Sequence, residues 1–507
     1  MSTPPRRARR VTRRSASLAA AAALFAAASL SDPPSASAAG LYFSDRGVRP
    51  IGRGGAFVAG ADDLGSMWYN PAGLAFAGNS VLADASWLRF GSTFQRRSLV
   101  HDPATGNDTV QGSNYFPEVS GTSPLLPLPT LAVSNNFGAE QWNFALGVYA
   151  PYAALTSYPE EAIRFQGREV PAPQRYSLIT LNGSALAVLG AYASWMPSKS
   201  IAFGFGLQAM VGTFASRIAF SACPPERLIC QTEQPDYDAY GELTVGPIFA
   251  PSGTLGLIGI LHDAPASEVR FGASLQLPFW VNAPAKADLR LPAAAVFRNA
   301  TVQGNEARVS FKLPPIVRVG LETRLGGHKQ TRLEVAAFYE AWSVHDEISI
   351  EPSGSGIFLR NVQGFPDPYQ VGTMKQARGF RDTYSLHGGG EHTFNVGGYD
   401  LTFRAGLSYE RSAVPRPYLS VLTVDLDKIQ LAIGGSLYVS EKKNLRLDVV
   451  LAHTFGFITD VDPAEAQIGR VRVVRANEVP PQDVVKVNGG RYTAQADVIG
   501  VGLNWKY

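Results

Sequence analysis

Few residues of this 507-residue chain have the types and spacing that chemistry needs. The stretch HGGGEH, from His387 to His392, supplies two imidazoles and a carboxylate, all metal-ligand types. Five residues apart on a strand, however, the two histidines point to opposite faces and cannot share an ion. His101, His262, His328, His345 and His453 are scattered, and no nucleophile and base stand together. GGHK at 326–329 lacks the spacing of a phosphate-binding loop and reads as a turn. The sequence therefore predicts no enzyme, no metal and no cofactor. What remains is binding chemistry. Asp62 and Asp63 sit side by side in GRGGAFVAGADDLGSMWYNPAGLA, and Lys375, Arg378 and Arg381 cluster in MKQARGFRDTY. A cation of this kind holds a carboxylate at useful strength only where water is partly excluded.

The elements that must position these groups are strands. From about Val81 to Tyr507, stretches of roughly ten residues alternate apolar and polar, broken by Gly, Pro, Asn and Asp. In LTFRAGLSYE, Leu401, Phe403, Ala405, Leu407 and Tyr409 share one face, while Arg404 and Glu410 lie on the other. KIQLAIGGSLYVS and TRLEVAAFYEAW repeat the scheme. Three features favour a membrane over a soluble sandwich. The stretches have the length of tilted spanning strands, aromatics gather near their ends, and short turns such as SEKKN alternate with long polar connections such as 353–380 and 459–492. The chain ends Ile499, Val501, Leu503, Trp505, Tyr507, an alternating apolar strand closed by an aromatic, as the barrel-assembly machinery reads. A closed sheet leaves no backbone donor facing lipid. No run of about 18 apolar residues follows Gly40, so no membrane helix is expected.

The N-terminus has six arginines from Arg6 to Arg14, then an apolar run, then Ala36-Ser37-Ala38, the order of a secretory signal with cleavage after Ala38 or Ala39. The net charge of +3 gives no field that argues for nucleic acid. Cys223 and Cys230 in CPPERLIC fit a small loop disulfide or two free thiols; the oxidising setting of an exported chain favours the disulfide, and too few ligands stand nearby for a metal.

The opening segment does not alternate. Ala56–Leu64 reads as a short helix, followed by a turn capped by Asn70 with Pro71 at its first position. So small and polar a piece cannot stand alone, and a large barrel needs its lumen filled. With Asn70-Pro71-Ala72, the segment resembles the hatch of the FadL/TodX outer-membrane transporters of long-chain fatty acids and other hydrophobic compounds. LPPIVRVGLE (Leu313–Glu322), FYEAWSVHDEI (Phe338–Ile348), GFRDTYSL (Gly379–Leu386) and LTFRAGLSYERSAVP (Leu401–Pro415) fall in that family's order. The resemblance implies an all-β fold: a transmembrane antiparallel barrel of about 14 strands, plugged by a small helical hatch. It divides the chain into a signal peptide (1–38), a hatch (39–80) and a barrel (81–507) in the outer membrane of a Gram-negative bacterium.

The resemblance also implies passive uptake. A hydrophobic ligand is captured in an apolar lumen pocket, and a shift of the hatch releases it, sideways through the wall in some members. Asn70, Pro71 and Ala72 would then act in gating, with Asp62 and Asp63 bonding hatch backbone or wall cations. Lys375, Arg378 and Arg381 are the candidates for the ligand head group, and Phe338, Trp342, Phe358 and Phe380 for the pocket lining. The expected partners are fatty acids or hydrocarbons, outer-membrane lipid and lipopolysaccharide, with the protein a monomer. An adhesin-like surface barrel and a polar diffusion porin are the alternative readings.

Overall fold

The computed structural model describes residues 45–472 and 485–507, apart from 98, 103–106, 111–115, 124, 151–155, 166, 225–227, 232 and 440–442. The signal segment, the first residues expected in the hatch and part of the 459–492 connection lie outside the described residues. Fourteen antiparallel strands form one closed sheet. They are β1 (Ser80–Arg96), β2 (Glu118–Thr122, then Leu126–Asn135), β3 (Trp142–Tyr149, then Thr156–Ser157), β4 (Thr180–Ser198) and β5 (Ile201–Ser221). Next come β6 (Asp238–Ala264), β7 (Ser267–Gln276, then Phe279–Arg290), β8 (Glu306–Leu313, then Ile316–Leu325), β9 (Thr331–Glu340, then Glu347–Pro352) and β10 (Met374–Ala377, then Thr383–Val396). The last are β11 (Tyr399–Glu410), β12 (Lys428–Tyr438), β13 (Leu445–Gly456, then Thr459–Val461) and β14 (Gly490–Lys506). Each strand pairs with its sequence neighbour, and β1 closes on β14 from Ser80↔Lys506 to Arg96↔Gly490.

Period-two alternation sets the two faces. Leu407, Leu431, Ile433, Val335 and Val501 point outward and are about half exposed, whereas Arg404 and Glu334 on the same strands, and Asp448 and Glu391 on neighbouring ones, are buried in the lumen. Trp142, Trp195 and Phe203 stack in a row on the outer surface beside a short turn, with ring centroids 5.9 and 5.8 Å apart. Such rings sit where hydrocarbon gives way to water. At that end the turns are short, and only two residues long between β4 and β5 or β10 and β11; Gly397 and Gly398 supply the positive φ of the latter. At the other end the connections are long. Some carry small sheets of their own, such as the one formed by Thr301–Gln303, Phe358–Arg360 and Tyr369–Gln370. β6 runs to 27 residues, far beyond a bilayer, so the wall rises above the membrane on the long-loop side.

Residues 45–79 fill the lumen. Their regular parts are short: α1 (Val48–Gly52), α2 (Ser66–Tyr69) and a 3₁₀ turn, Pro71–Phe76. The helix expected over Ala56–Leu64 is not there; this stretch is irregular. Its amides are satisfied by the wall instead, because the Glu334 carboxylate on β9 accepts from the N–H groups of Val58, Ala59 and Gly60 at 2.7, 2.8 and 3.0 Å. A ready anionic acceptor removes the need for the i to i−4 bonds a helix would supply.

Candidate functional site

The plug is seated by backbone contact and by charge. Gly389 on β10 and Gly406 on β11 lie flat against the backbone of Arg53, where a methyl group at either position would collide with it. Asn70 serves two sides at once. Its Oδ1 accepts from Ala72 N at 3.2 Å, which caps the 3₁₀ turn, and its Nδ2 donates to the carbonyls of Val58 in the plug and Leu257 in the wall, both at 2.9 Å. Pro71 follows at the first position of that turn.

Around the plug, six arginines and six carboxylates interlock. Arg49 donates to Asp62 (2.6 Å), Asp63 (2.9 Å) and Glu391 (2.6 Å). Arg53, fully buried, donates to Glu322 (3.0 Å) and Glu334 (2.9 Å). Asp62 also meets Arg332 (2.5 Å) and Arg324 (3.3 Å), and Asp63 meets Arg446 (2.7 Å). Arg404 and Asp448 complete the set through Glu391 and Arg446. The set sums to zero charge, and movement of the plug would break the pairs that cross to the wall, which are those of Arg49 with Glu391, Arg53 with Glu322 and Glu334, Asp62 with Arg324 and Arg332, and Asp63 with Arg446. Buried ions stranded in this way are costly. A polar cavity of about 260 Å³ at the short-turn end, lined by Asp62, Asp63, Arg332 and Arg446, borders the network.

Above the plug, toward the long loops, lies a second cavity of different chemistry. Leu186, Met210, Phe214, Ile248, Val309, Phe311, Leu313 and Ile348 are among its lining, from β4, β5, β6, β8 and β9. Its enclosed volume is about 90 Å³, room for a single ring or a short acyl segment. A longer chain must displace side chains or the plug.

One buried cation stands at the margin of this apolar region. Arg378, in the break of β10 on the long-loop side of the spanning part, is only 2 % exposed. It donates to the Thr423 hydroxyl at 2.6 Å and lies 4.9 Å from the Phe380 ring centre. Its Nε has no partner, and among the described residues no carboxylate pairs with it. Burial alone pushes the guanidinium down to about 10, so it stays charged at neutral pH. Phe380 touches His345 (5.0 Å between rings), and His345 touches Phe311 of the cavity (5.9 Å). Burial, helped by Arg378, pushes His345 down to about 3, so the imidazole is neutral; its Nδ1 donates to the Lys312 carbonyl.

Of the residues singled out in the sequence, Asp62, Asp63, Asn70, Pro71 and Ala72 meet at the plug–wall contact. Arg378, Phe380 and Trp342 meet at the corner by the cavity, where Trp342 donates to Glu340 at 2.7 Å. Phe338 lies lower, against Tyr69 of the plug and stacked on His387. Arg381 is half-buried and bonds the Ser412 carbonyl. Two candidates fall elsewhere. Lys375 is exposed and pairs with Glu347, and Phe358 sits in a loop sheet. Cys223 and Cys230 are joined by a disulfide. His387 donates to the Gly54 carbonyl, which makes it a plug contact; among the described residues no cluster of metal-ligating side chains forms. Glu334, Arg49, Arg53 and the cavity lining escaped the sequence reading. The one available signal was the inward phase of Glu334 and Glu391 on otherwise apolar strands.

A family model described as outer membrane protein transport protein (OMPP1/FadL/TodX) matches residues 32–507. Among solved structures, a Pseudomonas aeruginosa FadL homologue aligns with a TM-score of 0.64 at 11% identity, covering 92% of this chain and 99% of that one. The Ralstonia pickettii toluene transporter TbuX (TM-score 0.55, 14% identity) and the P. putida toluene transporter TodX (0.55, 15%) each cover 92% of this chain and 99% of theirs. At these identities the likeness concerns the fold. No curated protein sequence matches the chain.

Proposed function

Since the chain belongs to the OMPP1/FadL/TodX family of outer membrane transport proteins, we propose that it carries an apolar molecule with an anionic head, such as a long-chain fatty acid, passively across the outer membrane. The supporting observation is Arg378: a buried cation with no carboxylate partner among the described residues, beside an apolar cavity. A hydrocarbon has no use for it, whereas a carboxylate would supply the missing acceptor and lift the desolvation cost. The apolar tail would run into the cavity past Phe380 and Phe311. Release would follow a shift of the plug, whose ion pairs would have to be exchanged or hydrated. Export by the leader 1–38, insertion by the barrel-assembly machinery into the lipopolysaccharide-coated membrane of a Gram-negative cell, and action as a monomer complete the proposal.

A second reading has its own support. The cavity holds about 90 Å³, which suits a monoaromatic ring better than a long chain, and toluene is what the two named relatives transport. Calorimetry with the detergent-purified protein separates the two. Palmitate binding that is lost in Arg378→Met, with toluene binding weak in both proteins, supports the first reading. Toluene binding that is indifferent to Arg378 replaces it with the second.

A further inference from the structure

The polar cavity at the short-turn end holds more donors than acceptors. Its lining carries seven cationic side chains, among them Arg270, Arg324, Arg332, Arg446 and Lys506, against two carboxylates, Asp62 and Asp63. Both carboxylates are already taken. Asp62 is held by Arg49, Arg332 and Arg324, and Asp63 by Arg49 and Arg446, with Gly65 N donating to it at 2.9 Å. At the start of β7 a further buried carboxylate, Glu268, is shared among Arg270, Lys329 (2.6 Å) and Arg324 (3.6 Å).

Two buried donors in the lining are left over. Arg270 on β7 is 6 % exposed; its Nε donates to Glu268 and its guanidinium lies over the Phe76 ring, 4.5 Å from the centre, but its Nη1 has no acceptor. Asn504 on β14 is 2 % exposed and stands opposite Arg446 in the β13–β14 ladder, and its Nδ2 has no acceptor either. A buried donor left unpaired is costly, and both of these lack the same thing. Lys506, exposed, adds a cation beside Asn504 on the same strand. A ligand that completes this set must bring acceptor oxygens and negative charge. It must also be small and polar throughout. The rings of the lining are Phe76 and Tyr438, and the first is covered by Arg270, so no apolar track receives an acyl tail. Asp62 and Asp63 oppose an anion, but each is matched by the arginines that hold it. Short turns of outer-membrane barrels face the periplasm, so the ligand arrives from that side.

We propose that this cavity is a periplasm-facing site for a small, free, dianionic oxyanion of the phosphate class, bound by Arg270 Nη1 and Asn504 Nδ2 with the field of Lys506 and the wall arginines around it. The site is independent of Arg378 and of the apolar cavity. The test is calorimetric titration of inorganic phosphate into the detergent-purified protein, in chloride at fixed ionic strength. Saturable single-site binding is expected. Arg270→Gln and Asn504→Asp, their folding checked by heat-modifiable migration, should each weaken it about tenfold or more, as loss of a hydrogen bond to a charged group predicts. Lys506→Glu changes an exposed side chain and leaves the barrel folded; it should weaken binding about fivefold at low salt. Absence of saturable binding overturns the proposal, and so does binding of equal strength in the parent and the folded variants. If the two buried variants fail to fold, Lys506→Glu decides alone, and parental affinity there overturns the site. Octyl phosphate is the control for the source of the oxyanion. Affinity no greater than that of phosphate supports a free ion, whereas binding about tenfold tighter gives the site to the head group of an amphiphile and overturns the assignment.

Discussion

Asn70 in the plug donates through Nδ2 to the carbonyl of Leu257 in β6 at 2.9 Å while its Oδ1 caps the turn that follows. One side chain thus fixes the local shape of the plug and its position against the wall. Asn70→Ala removes both functions and leaves two carbonyls without their donor. The expected loss is about 2 kcal/mol of plug seating, from roughly 1 kcal/mol per neutral hydrogen bond. Hydrogen exchange should show faster exchange over 45–79, with the protection of β1–β14 unchanged.

Glu334 is the deeper anchor, since it accepts three plug amides and pairs with Arg53. Glu334→Ala leaves the fully buried Arg53 guanidinium with Glu322 as its remaining close partner and deprives three plug amides of their acceptor. Removing one partner of a buried pair costs about 3–5 kcal/mol. In planar bilayers the variant should show ion conductance that the parent lacks, as the plug leaves the lumen. A silent Glu334→Ala channel would mean that the other ion pairs suffice.

Gly406→Val tests steric seating without touching a charge. The side chain would meet the Arg53 backbone directly, and overpacking of this kind costs about 1–3 kcal/mol. The expected result is protease cleavage within residues 45–79 while the barrel keeps its heat-modifiable migration in gels.

Arg378→Met should weaken binding of a fatty acid by about 10- to 100-fold, from roughly 1.5–3 kcal/mol for a hydrogen bond to a charged group, and leave an alkane of equal length unaffected. The empty protein should gain stability. The folded-state value of about 10 lies below the ordinary range of a free guanidinium, so the unfolded chain holds the proton more tightly. The stability cost of this charged guanidinium is therefore fully present below pH 10 and relieved as pH rises above about 10. Thermal melts at pH 7 check the gain, and fatty-acid titrations from pH 4 to 10.5 check the binding. Affinity should fall at the acid end as the ligand carboxyl protonates, and again as pH passes about 10.

The outward faces of the wall were legible because lipid imposes strict alternation: Leu401 to Tyr409 point out as their spacing requires, and Asn70-Pro71 carries its cap in its own residues. Two things were not legible. The shape of Ala56–Gly60 depends on Glu334, some 275 residues further along the chain, and no local propensity records that acceptor. The facing of Lys375, Arg378 and Arg381 depends on the interruption of β10 between Ala377 and Thr383. Once pairing lapses, counting by twos no longer tells inside from outside, and the residue buried by the cavity differs from the one left in water.

The 3₁₀ turn of the plug ends at Phe76, and β1 begins at Ser80. So brief a leash keeps the rear of the insert at the rim beside the first stave of the wall, whatever the rest of it does. Any clearance of the bore must instead begin at the far end and peel backward past α1. The width of the passage would then be set by how many contacts have unzipped, giving a graded aperture in place of a door that is either open or shut.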